Sequence, residues 1–312
     1  MNQTLSTEQV ICRPALERDL GEIRDFCKTI WDGHDYVPDV IDDWLRDPQG
    51  IFAVAEYEGR AIACSKITLL AEGQWWLEGF RVNPAYQGLK VGSLIHHYVD
   101  QWWVEKGDGI LRLMTSSKNK SVHHLCELTG FSKLYEVHGY KAEPLEGGAE
   151  EFTSAASSAQ DLPTVVAFAR KSPSLRITNH IGDFGWRAVD PTQNQALTFL
   201  FADVSDLANN FFWWRKDRGL LIVWDDSDPE EEKYTMGIGV IACELEDMSA
   251  LLMDVRHLAA KQGKTSVLWL APVHEQVEAA LKQAGFSSDW DTTAYIFEKK
   301  HPHRFQQEKS PS

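Results

Sequence analysis

The chain has 312 residues, 43% hydrophobic and 11% aromatic, with 12 Trp; that is enough apolar material for two cores of ordinary size and too much for a disordered or fibrous chain. Its 46 acidic residues against 31 Lys and Arg give a net charge of −15, which repels polyanions and so argues against nucleic acid or an anionic membrane as partner. Five scattered Cys without a Cys-x-x-Cys spacing, a polar start from Met1 to Val10 and no long apolar run predict a cytoplasmic chain with no disulfide framework, no metal site and no membrane span.

Apolar positions at Leu20, Ile23, Phe26, Cys27 and Ile30 predict a helix within Leu16 to Trp31. Ile51 to Tyr57 and Ala61 to Leu70 read as strands joined by a turn at Glu58-Gly59-Arg60, and Trp75 to Val82 reads as a third strand. Beyond Pro84, Val91, Leu94, Ile95, Tyr98, Val99, Trp102 and Trp103 recur at three and four residues, an amphipathic helix that stops at Gly107. Ile110 to Met114 reads as a buried strand, and Asn119 to Thr129 as a helix closed by Gly130 in a left-handed cap. This order predicts a mixed α/β (α+β) unit over residues 11–142.

Glu143 to Gln160 is rich in Glu, Gly, Ala and Ser and predicts a linker over residues 143–162, followed by a second domain at 163–300 and a polar tail at 301–312. Three matches in the same order suggest that the second domain repeats the first. Trp44 to Ile51 is similar to Trp214 to Leu220, both read as a helix end running into a hairpin. The helix ending at Gly107 with its following strand is similar to Leu251 to Gly263 with Ser266 to Leu270, and Thr129-Gly130-Phe131 is similar to Ala284-Gly285-Phe286. The acidic stretch Asp225 to Glu232 falls at the second copy's hairpin turn and reads as a solvated loop. Trp75-Trp76, Trp102-Trp103 and Trp213-Trp214 read as core and interface material. The adjacent pairs His96-His97 and His123-His124 point to two sides of their helices, which argues against a metal.

The stretch most suited to binding a ligand runs from Val82 to Ser93, between a strand and a long helix. Its glycines, Gly88 and Gly92, let backbone amides approach a ligand, and the helix N-terminus adds positive potential, so a pyrophosphate is the natural occupant. Gln87, Gly88, Leu89, Lys90, Val91, Gly92 and Ser93 resemble the acyl-CoA loop of the GCN5-related N-acetyltransferase (GNAT) superfamily, with Gln87 and Gly92 at the ends of the pattern and Lys90 where a Gly is usual. A Lys at a backbone position needing positive φ would be strained, though its ammonium suits a phosphate. Asn119, Leu125, Glu127 and Gly130-Phe131 resemble the superfamily's later helix, with Cys126 where a Tyr is common. Asp35-Tyr36-Val37-Pro38, Trp44 to Pro48 and Glu78-Gly79-Phe80-Arg81-Val82 are similar to the histidine N-acetyltransferase group.

The resemblance implies tandem GNAT-like domains with mixed, mostly antiparallel sheets, the second degenerate because Cys243-Glu244-Leu245-Glu246-Asp247 puts acids where a pyrophosphate needs amides. It implies acetyl-CoA as cosubstrate and a small amine, such as a free amino acid like histidine, as acceptor, with the second domain packing on the first and either completing the acceptor pocket or replacing a homodimer partner. The amides of Phe80, Arg81 and Val82 would face the thioester, and Asn119 the pantetheine arm. Glu78 is the first choice for general base or else a partner of Arg81; Cys126, Tyr135, Tyr140 or water would return a proton to the thiolate. Arg81 would hold a substrate carboxylate. His34, Asp35 and Tyr36 either bind the acceptor or cap a turn before Pro38. A protein or peptide acetyltransferase and a non-catalytic acyl-CoA sensor are the alternatives.

Overall fold

The computed structural model describes residues 6–147, 162–193, 210–215, 218–228 and 232–302, with the backbone alone at 210–215. Most of the expected linker at 143–162, most of the tail at 301–312, part of the acidic stretch from Asp225 to Glu232 and the side chains of Trp213 and Trp214 lie outside the described residues. In chain order the first half runs β1 (Ile11–Pro14), α1 (Leu20–Cys27), α2 (Val37–Arg46), β2 (Ile51–Tyr57), β3 (Arg60–Ala71), β4 (Gln74–Val82), α3 (Val91–Lys106), β5 (Ile110–Ser116), α4 (Lys120–Leu128) and β6 (Ser132–Ala142). There follow α5 (Leu162–Lys171), α6 (Pro173–Ile177), the short β7 (Gly182–Asp183) and β8 (Ala188–Val189), β9 (Asn210–Arg215), β10 (Gly219–Asp225), β11 (Thr235–Cys243), α7 (Met248–Lys261), β12 (Ser266–Pro272), α8 (Glu275–Gln283) and β13 (Ser287–Lys300).

Two compact units result, neither of them contiguous. The first comprises Met1–Leu113, Ser121–Ser132 and Glu298–Ser312; the second comprises Met114–Lys120 and Lys133–Phe297. Among the described residues no helix is long and apolar enough to cross a membrane.

In the first unit the strands follow in the order β1-β2-β3-β4-β5. The β2–β3 hairpin turns through Glu58 and Gly59, both at positive φ, the twist that two-residue hairpins require. On one side of the sheet α1 and α2 bury Leu20, Ile23, Phe26, Val37, Ile41 and Trp44 against Phe52, Val54 and Cys64. On the other, α3 buries Val91 and Ile95 against Ala55, Ile62 and Ala63. The helix read within Leu16 to Trp31 is shorter than expected, since its flanks form 3-10 turns at Glu17–Asp19 and Trp31–Gly33. After Asp35, whose side chain accepts from the amide of Val37, the chain forms α2, with Pro38 in the first helical turn, where its missing N–H costs nothing.

The C-terminal residues of β13 finish this unit. Glu298 accepts from buried Arg112 (2.9 Å), whose other arm donates to Gln74 (3.0 Å). Lys299 donates to Asp100 on α3 (2.5 Å), and the amide of His301 donates to the carbonyl of Gly109 (2.9 Å).

In the second unit the order is β13-β6-β12-β11-β10-β9, with α7 and α8 burying Leu251, Leu252, Val255, Val277 and Leu281 against Val267, Ile238 and Met236. Trp214 lies in β9, paired with Leu220 of β10, whereas Trp44 lies in α2. The resemblance between Trp44 to Ile51 and Trp214 to Leu220 is therefore one of sequence alone, and the reading of a helix end at Trp214 is corrected. The other two matches correspond in structure. The helices α3 and α7 each run into a strand, and Gly130 and Gly285 both take positive φ. There the amides of Phe131 and Phe286 donate to the carbonyls of Cys126 and Leu281, both at 2.9 Å, closing α4 and α8 in the same way.

Candidate active site

The site begins with an irregularity in β4. Cys64 pairs with Arg81 and Lys66 with Glu78, so Ser65 alone lies opposite both Gly79 and Phe80. That is a β-bulge, and Gly79 has the positive φ of +62° that a bulge asks of it. Side chains three apart on a regular strand point to opposite faces; the extra residue brings Glu78 and Arg81 to the same face, that of α1 and α2. A Cβ at Gly79 would come within 2.4 Å of the Trp44 ring, so both backbone and packing demand glycine here.

On that face Glu78 is nearly buried, 9% exposed, and its Oε1 accepts from the Thr68 hydroxyl at 2.6 Å. Arg81 does not pair with Glu78. Its guanidinium forks onto buried Asp35, Nε to Oδ2 at 2.7 Å and Nη2 to Oδ1 at 2.9 Å, while Asp35 also accepts from the amide of Val37 in the first turn of α2 (3.2 Å). The ring of Trp31 lies 4.3 Å from Arg81 and that of Tyr36 5.5 Å, a cation–π arrangement at a surface where Trp31 and Tyr36 are 60% and 41% exposed. His34 is exposed beside them. Asp35 and Arg81 thus neutralise one another, which leaves the exposed rings and His34 as the groups open to solvent.

The opposite face of β4 leads to α3. Phe80 and Val82 pack with Val91, Ile95 and Leu89. β4 and β5 are paired in parallel from Gln74 with Ile110 to Trp76 with Arg112; beyond that the strands part, and among the described residues Leu77–Val82 runs on with β3 as its paired neighbour. At the end of β4, Asn83 accepts from the amide of Ala85 (3.0 Å), and Gln87 Nε2 donates to the carbonyl of Val82 (3.3 Å). Gln87, Gly88 and Lys90 are exposed, and Leu89 is half-buried. Lys90 takes the left-handed conformation, φ 63° and ψ 8°, at the N-cap of α3.

The amides of Val91, Gly92 and Ser93 have no turn of helix behind them to accept their hydrogens, and no acidic residue lies in that first turn. Gly92 carries the close approach: a Cβ there would lie 3.2 Å from the Phe80 ring. A pyrophosphate therefore fits this turn by charge, by donors and by exposure.

Beneath the loop, His96 is 2% exposed. Burial holds its pKa down to about 4, aided by His97 and Lys299. The Thr129 hydroxyl donates to the carbonyl of Leu125 (2.8 Å), so His96 Nε2 is the donor in their 2.9 Å contact. Neighbouring His97 is exposed.

Cys126 is fully buried on α4 and its thiol is pushed up to about 12 by burial, which makes it a poor proton donor. Asn119 is exposed in the second unit, where its Nδ2 donates to Thr115 Oγ1 (3.1 Å). Tyr135 also belongs to the second unit, in the wall of a cavity with Ser174, Thr178 and Asp183. Among the described residues no group of three or more His, Cys, Asp or Glu is placed to hold a metal ion. Sequence reading missed Thr68, the partner of Glu78, and the rings over Arg81; the signal for the bulge was available in the lone Gly79 inside a strand pattern.

The second unit has a comparable parting of strands, β11 from β12 beyond Ile238 and Trp269. Here the edge of β11 is occupied by its own chain. Ser174 Oγ donates to the carbonyl of Ile241 (3.0 Å) and accepts from the amide of Cys243 (2.9 Å), and Ser172 Oγ donates to the carbonyl of Cys243 (2.9 Å). Glu246 and Asp247 lie in the 3-10 turn that enters α7.

Residues 18–131 match the Acetyltransferase (GNAT) family. A human protein named "Probable N-acetyltransferase 16" is 33% identical over 88 residues, 28% of this chain and 24% of that protein. The histidine N-acetyltransferase of Oreochromis niloticus is 32% identical over 82 residues, 26% and 24% respectively. The chain thus covers about a quarter of the length of these relatives. Among solved structures, a tandem GNAT protein from the clavulanic acid biosynthesis pathway superposes with a TM-score of 0.59 at 9% identity, over 97% of this chain and 99% of that one. A GCN5-related N-acetyltransferase from Sphaerobacter thermophilus does so with a TM-score of 0.62 at 13% identity, over 95% and 96%. The segment carrying the bulge and the loop into α3 is thus similar to the acetyltransferase (GNAT) family, within a chain whose fold is similar to that of a tandem GNAT protein.

Proposed function

We propose that this chain is an N-acetyltransferase that moves the acetyl group of acetyl-CoA to the amine of a small molecule, such as a free amino acid, with residues 11–142 as the catalytic domain and 163–300 as a degenerate copy. The observation that carries the reading is the pairing, on one strand, of a bulge that aims Glu78 to one face with an exit that delivers free amides to the other.

Bound acetyl-CoA would supply a thioester carbonyl that an amine can attack. The amides of Val91, Gly92 and Ser93 and the ammonium of Lys90 would hold its diphosphate, and the unpaired edge of β4 from Phe80 to Val82 would hold the arm beyond. Glu78, set by Thr68, takes the proton that the amine must lose to become a nucleophile, directly or through water. As the new C–N bond forms and the C–S bond breaks, water returns a proton to the thiolate, since the buried Cys126 is a poor donor. Trp31, Tyr36 and His34 form an exposed rim suited to a ring or cation on the acceptor. Arg81, held by Asp35, supports that rim and keeps two N–H donors for an acceptor carboxylate.

Release of CoA thiol, followed with a panel of amino acids, polyamines and peptides, tests the reading. Turnover with amino acids or small amines supports it. Turnover with peptides alone points to a protein acetyltransferase, and acetyl-CoA binding without turnover to a sensor.

A further inference from the structure

The cavity in the second unit lies where β11 leaves β12. It is about 20 Å³ in volume, bounded by Gly239, Val240 and Ile241 on β11, Trp269 and Leu270 on β12, and Ser174 and Thr178 at α6; that is room for one water-sized group. Asp183, at the end of β7, reaches its wall. Its carboxylate is nine-tenths buried, and neither oxygen has a hydrogen-bond partner among the described residues. The amides of Trp186 and Arg187 lie near enough to favour the anion but make no hydrogen bond of good geometry.

Asp183 stands out because the other polar groups in the wall are satisfied. Thr178 Oγ1 gives its single hydrogen to the carbonyls of Ile181 (2.7 Å) and Leu175 (3.1 Å). Ser174 Oγ gives its own to Ile241. What these hydroxyls still offer the cavity is lone pairs, as does a carboxylate. Tyr135, also in the wall, is engaged as well; a wall whose unpartnered side-chain oxygens, among the described residues, are the two of Asp183 calls for a compact donor of several hydrogens that carries positive charge. A metal ion would need more oxygen ligands than this wall supplies.

We infer that the second unit binds the head group of a primary ammonium compound in this cavity, with Asp183 as its counter-ion. The degenerate copy is then a binding module for a small cation, and not merely a copy that has lost its loop. The inference does not rest on acetyl transfer by the first unit.

The test uses the full chain and methylammonium chloride, with potassium chloride and tetramethylammonium chloride at equal ionic strength as comparisons. Methylammonium should raise the melting temperature saturably at millimolar concentration and shift one aspartate carboxyl resonance in a ¹³C-labelled sample. Tetramethylammonium, which has no N–H, should do neither. Asp183→Asn should weaken the response about tenfold or more. A response shared with potassium or tetramethylammonium, one unchanged in Asp183→Asn, or none at all overturns the inference. Should the variant fail to fold, the carboxyl resonance of the wild-type chain decides alone.

Discussion

The two places where paired strands part make an instructive contrast. In the first unit the edge of β4 beyond Trp76 is unpaired among the described residues, and the turn into α3 offers glycines and amides with no acid in the first helical turn. In the second the equivalent edge of β11 is closed by Ser172 and Ser174, and the turn into α7 carries Glu246 and Asp247. One backbone design thus serves two ends, and what decides between them is which side chains meet the freed backbone groups.

The strongest way to break the contrast is to give the first turn the charge of the second. Gly92→Glu should weaken acetyl-CoA binding about a hundredfold or more, since a carboxylate replaces close amide approach with repulsion. Calorimetric titration measures it, and a melting curve checks the contact with Phe80, 3.2 Å from the new Cβ. Unchanged affinity would place the nucleotide elsewhere. The converse change, neutralising Glu246 and Asp247, should not create a second site, because Ser174 still holds the edge of β11.

The loop into α3 was legible because its determinants are local: glycines, a Pro-anchored strand exit and a helix that starts on schedule. The three helices and strands of periodic pattern around it were legible for the same reason. The face of β4 toward α1 and α2 was not, because the Glu78–Thr68 and Arg81–Asp35 pairs come to one face only once the bulge at Gly79 has shifted the register by one residue, and spacing along a chain carries no record of which carboxylate an arginine will choose. Cys126 carries the same lesson: its position in a motif says nothing of its burial. Trp214 misled because a Trp before a charged run occurs in helix and strand alike.

Acidification should split the units. His96, held near 4 in the folded chain against 6.5 unfolded, binds its proton more readily when unfolded, so its contribution is full above about pH 6.5 and is lost as pH falls toward 4, roughly 3 kcal/mol in all. Asp183 runs the other way. Burial raises it to about 7 from 3.8, so the folded state holds the extra proton; its contribution is full below about pH 4 and is lost as pH rises through 7, by a similar amount. Hydrogen exchange at pH 7.5 and pH 5 should therefore show amides of α3 losing protection while those of β11 gain it. Parallel changes in both would refute the pair of assignments, and His96→Leu should flatten the first response alone.

A smaller effect separates binding from chemistry on the first unit's two faces. Glu78→Gln keeps the hydrogen bond from Thr68 but removes the base, so kcat should fall about a hundredfold while acetyl-CoA affinity stays put. A fall in affinity instead would move Glu78 from proton transfer to the nucleotide side of the strand.

The smallest effect concerns Lys90, the residue in the loop that stands where glycine is usual and takes the left-handed conformation regardless. For a side chain with a Cβ that conformation costs on the order of 1 kcal/mol, so Lys90→Gly should leave the melting temperature equal or slightly higher. The same change removes an ammonium beside the expected diphosphate, which should raise the KM for acetyl-CoA a few-fold at low ionic strength. Lys90→Asn parts the two contributions, because Asn tolerates the left-handed region yet carries no charge. If the charge matters, both variants lose affinity together and the loss shrinks as salt is added. If only the backbone conformation matters, both bind as well as the wild type at every ionic strength, and the lysine is then a tolerated strain at a position where its amide, not its side chain, faces the ligand.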